Sequence, residues 1–512
     1  MADTRKTILQ QINDWTEEPS SQRIMWIHGL AGAGKTAIAS SIAQRLEDPP
    51  ADDRQPKGSR LGANFFCSRD FSDLSDPNRV LPSIACQLAN LHPLFRRAFA
   101  NAVRDDSDIA FKPIQVQFRR LFEEPFKDLS PIPSWSNLNF FSPCVIVIDA
   151  LDECGSPDTR EELLCCLRRL PALADGIRIV VTSRPDPDIH KVFSGEPHCR
   201  ELSLHLDNDT IHDISLFVRT RMSNVVEKSH WPSEEQIKVL ARRAEGLFIW
   251  AATACKYIEE HWDVERALGD ILAPFPITSR RPYAQLDSLY TTVLSKVSDS
   301  NVEAFYYIIG ALVTLRVSLP ARTLCMLLQG DISDSAVMKT VGHLRSVLVE
   351  DDNGNIRVSH PSFVDFLTDK TRAPLKFYID TKRRHLELAH ICLQKVVSGV
   401  RFNLCDLETS YHMNAEVADL HDRIEHKVPA DLRYSCVHWA GHLRHGSNAK
   451  SGGTVVTKVR QLLENLLHKP PLLYWLEVLS LLSQVREAIS SLASVVIWID
   501  VCPLLVLFPS SV

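Results

Sequence analysis

Apolar positions in the first part of the chain fall into two kinds of run. Short, nearly unbroken apolar stretches at 23–28 (RIMWIH), 61–67 (LGANFFC), 144–148 (CVIVI), 177–182 (IRIVVT) and, more weakly, 200–205 (RELSLH) have the length and β-branched content of buried strands. Helical patterns lie between them. After residue 35, Ile38, Ile42 and Leu46 recur at i, i+4 and i+8, which is one face of a helix. Strands alternating with helices predict an α/β fold, a parallel sheet with helices on both faces. Residues 48–59 (DPPADDRQPKGS) read as a loop from their Pro, Asp and Gly content.

Beyond residue 206 the pattern changes. Amphipathic helical segments dominate, at 209–222 and 235–260 among others, and residues 274–282 (PFPITSRRP) read as a linker. Residues 283–370 hold several helical patterns and then a hairpin. Segments 346–350 and 355–359 flank Asp352-Asn353-Gly354, and Asn-Gly is a strong hairpin signal. Helices followed by a short two-stranded wing predict a winged-helix module. The rest is helical again, and no period of about 20–50 residues repeats, which excludes a solenoid or propeller. The expected division is a lead helix over 1–22, an α/β core over 23–205, a helical domain over 206–280, a winged helix over 281–372 and a helical region over 373–512.

The 512 residues are 45% hydrophobic and 23% charged, with a net charge of −6. Such a surface does not attract phosphate backbones at long range, so nucleic acid is not the expected partner. The thirteen cysteines are scattered without a Cys-x-x-Cys pair, as expected of reduced thiols in the cytoplasm rather than of a zinc site. The start, MADTRKTILQQ, has no signal-peptide character. The stretch 494–508 is very apolar, but Asp500 and Pro503 interrupt it, and a spanning helix needs about 20 continuous apolar residues. It is expected to be a core segment, with a membrane anchor as the alternative. The pairs Arg280-Arg281 and Arg383-Arg384 read as solvated charges. The aromatic segment 245–251 (EGLFIWA) reads as helix core rather than a base-stacking surface.

The candidate chemistry begins where the first strand ends. Gly29-Leu30-Ala31-Gly32-Ala33-Gly34-Lys35-Thr36 fits G-x-x-x-x-G-K-[ST], set between a strand and a helix. Glycines let the backbone curl so that successive N–H groups face phosphate oxygens, and the helix that continues through Ala37 adds its own unsatisfied N–H groups and dipole. Lys35 is expected to reach the outer phosphates and Thr36 to ligate Mg²⁺. The strand at 144–148 delivers Asp149 to the carboxyl edge of the sheet, where a Mg²⁺-side carboxylate is needed. Asp152 and Glu153 are candidates to polarise an attacking water, or alternatively to cap the next helix. Arg184, after the strand at 177–182, is a candidate contact to the terminal phosphate, or alternatively half of an exposed ion pair.

GLAGAGKT, VIVIDALDEC and VVTSRP, in this order, resemble the NACHT-type STAND P-loop NTPases, especially the NLR-like proteins of fungi. ILQQINDW (8–15), NFFCSR (64–69), EGLFIWA, LDSLY (286–290), HPSFVDFL (360–367) and YSCVHWAGHL (434–443) resemble the same family. The resemblance implies a switch that is closed with diphosphate and open and oligomeric with triphosphate. It implies ATP or GTP with Mg²⁺ as ligand, slow hydrolysis, protein signalling partners and a role in non-self recognition or cell death. By carry-over Gly29, Gly34, Lys35 and Thr36 hold phosphate and metal, Asp149 is the metal-side aspartate, Asp152 and Glu153 are the extra acidic pair, and Arg184 is a sensor. It also implies that His360 touches the diphosphate in the closed state and that Thr4-Arg5 lie near base and ribose. Arg69 has no role derivable from the sequence. Members usually carry an effector before the switch and sensor repeats after it, and neither is expected within this chain. The competing readings are a non-hydrolysing scaffold and a nucleic-acid remodelling ATPase.

Overall fold

A computed structural model describes residues 4–18, 22–47, 59–69, 71–91, 93–129, 144–174, 176–223, 225, 231–273, 283–328, 334–409, 411–446, 454–468 and 470–501. The expected linker at 274–282, most of the loop at 48–59 and the end of the apolar tail lie outside these residues. The chain divides into two compact units, Met1–Leu289 and Tyr290–Val512.

In the first unit, helix α1 (Lys6–Glu17) leads into five strands: β1 (Ile24–Gly29), β2 (Arg60–Phe66), β3 (Cys144–Asp149), β4 (Ile177–Ser183) and β5 (Cys199–Leu204). All pair in parallel, in the order β2-β3-β4-β1-β5. The alternation of side chains sorts the strands onto two cores. Ile146, Ile148, Ile179 and Val181 face one, with Trp26 and Phe65. Val145, Val147, Val180, Met25 and Ile27 face the other, with Ile38 and Ile42 of helix α2 (Lys35–Glu47). β3 and β4 are buried on both faces, which is why they read as continuous apolar runs. The five strands fall within a residue or two of the expected runs.

Helix α3 (Pro157–Arg169) follows β3. Its start is set by Ser156, whose hydroxyl accepts the Thr159 N–H while Thr159 reaches back to the Ser156 N–H, with Pro157 at the first turn. After β5, helix α4 (Asn208–Met222) is capped by Asp207. The segment expected as one helix over 235–260 is two, α5 (Glu234–Arg243) and α6 (Phe248–Glu259). Glu245 and Gly246 between them take left-handed backbone, φ 48° and 81°, and no helix continues through that conformation. Periodicity runs across the break because Leu240, Ala244, Leu247 and Ala251 are all buried. Helix α7 (Ala284–Leu294) runs past the boundary between the units.

The second unit opens with helix α8 (Val302–Thr314), strand β6 (Leu319–Pro320) and helices over Ala321–Leu327 and Asp334–His343. The hairpin β7 (Leu348–Glu350) and β8 (Asn355–Val358) follows. The hairpin stands where the Asn-Gly signal placed it. Asp351 Oδ1 accepts the N–H groups of Asn353 and Asn355, and Gly354 takes φ 77°. The sequence did not reveal β6, which pairs antiparallel with β8 and makes the sheet three-stranded. Long helices complete the unit, among them α9 (Thr381–Gly399) and α10 (Ala430–His445), around the fully buried Trp439 and Trp475. Arg384, expected in solvent, is fully buried; it pairs with Glu387 and donates to the Tyr307 carbonyl. The amphipathic period of α9 carries it inward with Leu388 and Cys392. Among the described residues no helix is long and apolar enough to cross a membrane.

Candidate active site

The loop between β1 and α2 has the curl its glycines predict, with φ of 82° at Gly32 and 94° at Gly34. Both angles are costly for a residue with a Cβ. Space matters as well as φ. A Cβ on Gly32 would lie 2.0 Å from Ile249 Cγ2, at the start of α6, and the Ile249 N–H donates to the Gly32 carbonyl at 3.2 Å. The segment EGLFIWA therefore does more than fill a helix core. Trp250 and Ala251 are buried as expected, but Ile249 braces the loop, and the Phe248 ring lies 5.1 Å from the Arg5 guanidinium. Arg5 in turn donates to the Ala33 carbonyl at 3.0 Å and to the Thr210 hydroxyl at 2.8 Å.

Lys35 is buried, and its ammonium donates to the carbonyls of Gly29 and Leu30, both at 2.9 Å. Burial lowers its pKa, Asp152, Asp149 and Glu153 act against that, and Arg184 adds to it. These five charges form one electrostatic group, so the fold brings together the residues singled out from separate motifs.

Asp149 ends β3 and is 2% exposed. Burial pushes its carboxyl up; the hydrogen bond from the Thr182 hydroxyl, then the nearby Thr36 hydroxyl and Lys35, pull it back. Thr182 was not singled out in the sequence. It matters because β4 lies between β1 and β3, so the end of β4 faces Asp149; a polar residue closing an apolar run was the available signal. The Thr182 hydroxyl also accepts the Ala150 N–H at 3.0 Å. Ala150 takes φ 52°, strained for alanine, and it turns the chain into the short acidic turn Leu151–Glu153.

That turn is not a helix cap, because Ser156 caps α3. Asp152 Oδ1 accepts the Arg184 N–H at 2.9 Å, and Arg184 Nε lies 3.2 Å from Oδ2, with the Asp152 side chain only 4% exposed. The ion pair is thus inside the site rather than on the surface. Glu153 is raised by burial and restrained chiefly by Arg69, whose N–H donates to Oε2 at 3.2 Å. Arg69 thereby acquires a place that no sequence argument supplied. A second missed residue, Arg160 on α3, is buried and supports the turn from below. It donates to the Asp152 carbonyl at 2.8 Å and pairs with Asp188 at 2.9 Å.

The donor set fits a magnesium–nucleotide. Mg²⁺ takes one or two protein oxygens and completes its shell with water and phosphate; Thr36, in the first turn of α2, is close enough to Asp149 to lower its carboxyl. Among the described residues no group of three or more His, Cys, Asp or Glu is arranged to hold a metal alone. His360 lies in the second unit, where its ring Nδ1 accepts the Ser362 N–H at 3.1 Å and caps the helix Pro361–Thr368.

A family model described as the N-terminal region of nephrocystin 3 matches residues 3–184. The vegetative incompatibility protein HET-E-1 of Podospora anserina is 26% identical over 517 residues, spanning 94% of this chain. The chain spans 35% of the length of that relative. Looser structural likenesses are to a STAND protein with a tetratricopeptide-repeat sensor from Pyrococcus horikoshii (TM-score 0.41, 13% identity, 97% of this chain and 63% of that one) and to a Walker-type ATPase of Pyrococcus abyssi (TM-score 0.34, 12% identity, 70% and 94%). With its phosphate loop and the carboxylates facing it, the chain is similar over residues 3–184 to the nephrocystin 3 N-terminal family and, nearly end to end, to a fungal vegetative incompatibility protein.

Proposed function

We propose that this chain binds a magnesium–nucleoside triphosphate, ATP or GTP, hydrolyses it slowly, and uses the difference between triphosphate and diphosphate to switch conformation and self-association in signalling. The observation that carries this reading is the cluster at the phosphate loop in which buried Lys35 and Asp149 stand with Glu153 and the Asp152–Arg184 ion pair. Bound magnesium would neutralise phosphate charge and polarise the terminal phosphate. The chain's own residues do the rest. Loop amides from Gly29 to Ala37 cradle phosphate oxygens, Lys35 exchanges its carbonyl partners for phosphate, Asp149 and Thr36 hold the metal side, and Glu153 or Asp152 orients water. Arg184, tied to Asp152, reports the terminal phosphate to the acidic turn.

The likeness to a vegetative incompatibility protein supports a part in non-self recognition; a link to cell death, protein partners and a homo-oligomer as the triphosphate state follow from the family resemblance of the motifs. The free cysteines among the described residues support a reducing compartment, the cytoplasm. Helix α8, the helices Ala321–Leu327 and Asp334–His343 and the sheet β6-β8-β7 support a winged helix used for packing. The diphosphate contact of His360 rests on the resemblance, and the finer domain boundaries on the pattern of elements along the chain. A scaffold without turnover is favoured by one observation: both candidate bases are engaged by arginines.

The test has two parts. Nucleotide released by denaturing the purified chain is identified, and phosphate release is measured for the wild type, Lys35→Ala and Glu153→Gln. Bound nucleotide lost in Lys35→Ala, with release of phosphate lost in both variants, is expected. No affinity of the folded wild type for any magnesium–nucleotide refutes the reading. Binding with equal release by all three proteins leaves the scaffold.

A further inference from the structure

One residue outside every motif reaches the phosphate loop. The Tyr283 hydroxyl accepts the Ala31 N–H at 3.2 Å. Ala31, itself buried, stands on the outer arm of the loop, away from the amides at the start of α2 that suit the inner phosphate. The neighbouring Gly32 carbonyl is taken by Ile249 at 3.2 Å. The Ala31–Gly32 stretch is therefore held at both ends by residues that follow the sheet.

Tyr283 immediately precedes α7, and the Gln285 carbonyl in α7 accepts the Trp250 indole N–H at 3.1 Å. Loop, α6 and α7 are thus joined by three hydrogen bonds: Ala31 to Tyr283, Ile249 to Gly32 and Trp250 to Gln285. A change at the Ala31 amide has a short path to α7, the helix that runs past Leu289 into the second unit.

We propose that Tyr283 is a specificity-determining residue for phosphate number: its hydroxyl holds the Ala31 amide against the terminal phosphate of a triphosphate, while a diphosphate leaves that hydrogen bond in place. This rests on nucleotide binding at the loop and adds the means of discrimination. A triphosphate must displace the hydroxyl, and the displacement loosens the start of α7. A diphosphate, seated on the inner amides, does neither. The tyrosine therefore weakens triphosphate binding relative to diphosphate and converts the difference into movement at the helix that joins the units.

The experiment uses the full chain, wild type and Tyr283→Phe, titrated with ATP, ADP, GTP and GDP in the presence of Mg²⁺. Phenylalanine keeps the ring and removes the hydroxyl, and circular dichroism confirms that the variant is folded. Loss of one neutral hydrogen bond corresponds to about a 2- to 10-fold change. Triphosphate affinity is expected to rise by about that factor in Tyr283→Phe, with diphosphate affinity unchanged. An unchanged triphosphate-to-diphosphate ratio, or an equal shift for both, overturns the proposal and leaves nucleotide binding standing. Absence of binding by the wild type overturns both.

Discussion

A single added methyl group at Gly32 tests how the phosphate loop is held. The substitution Gly32→Ala has two separable costs. At φ 82° a Cβ costs about 1–2 kcal/mol of backbone strain. The same Cβ would lie 2.0 Å from Ile249 Cγ2 and 2.7 Å from Ile249 Cβ, where carbon atoms rest at about 3.5–4.0 Å. Overpacking of this kind costs about 1–3 kcal/mol. The sum predicts that Gly32→Ala destabilises the first unit by about 2–5 kcal/mol. Ile249→Gly removes the clashing atoms, since the Ile249 Cα is 3.7 Å away, but leaves the strain. A double-mutant cycle in urea, fitted with one transition for each compact unit, therefore separates the terms. The double variant should be about 1–3 kcal/mol more stable than the sum of the single changes. Additivity within about 0.5 kcal/mol would show that α6 does not brace the loop, and the account of EGLFIWA as a brace would fall.

Three further outcomes follow from the same geometry. Thr182→Val deletes the hydroxyl that lowers the Asp149 carboxyl, so the pH below which magnesium-dependent nucleotide affinity is lost should move upward; an unmoved profile refutes the coupling. Arg160→Met leaves Asp188 and the Asp152 carbonyl without their buried donor, at about 3–5 kcal/mol by chemical denaturation, whereas a neutral result would mean the turn is held by other contacts. In the second unit, His385 Nδ1 lies 2.9 Å from His442 Nδ1, and His442 Nε2 lies 2.8 Å from the Tyr434 hydroxyl. Burial, aided by His445, Arg316 and Arg384, pushes His385 down to about 3, and burial with Arg316 pushes His438 down to about 4. The unfolded chain takes up these protons first, so stability is intact above about pH 6.5 and falls as pH drops through the window toward 4 and 3. At pH 5 the loss is about 2 kcal/mol for each of the two groups. Thermal unfolding of the second unit between pH 7.5 and 5 should show it, and His385→Gln should flatten the slope.

Much of the first unit was legible because its physics is local. The buried strands announce themselves by β-branched runs, the loop by its glycines, and the carboxylate facing it by an aspartate ending an apolar run. Each of these depends on a residue and its neighbours in the chain. The gathering of Lys35 and Asp149 beside the loop was legible for the same reason. Three kinds of fact were not. The break at Glu245–Gly246 is invisible to periodicity, because burial continues on the same face across it. Thr182, Arg160, Arg69 and Tyr283 gain meaning only from strand order and helix packing, which set residues far apart in sequence within hydrogen-bond reach. Arg384 shows the limit of reading charge as exposure, since a guanidinium enters a core when a carboxylate and a carbonyl meet it there. Sequence alone determined the curl of the loop and the charged residues set beside it, because these are properties of residue type and local backbone. Tertiary structure decided how those groups are held, charged and braced, because burial and hydrogen-bond partners belong to the assembled fold.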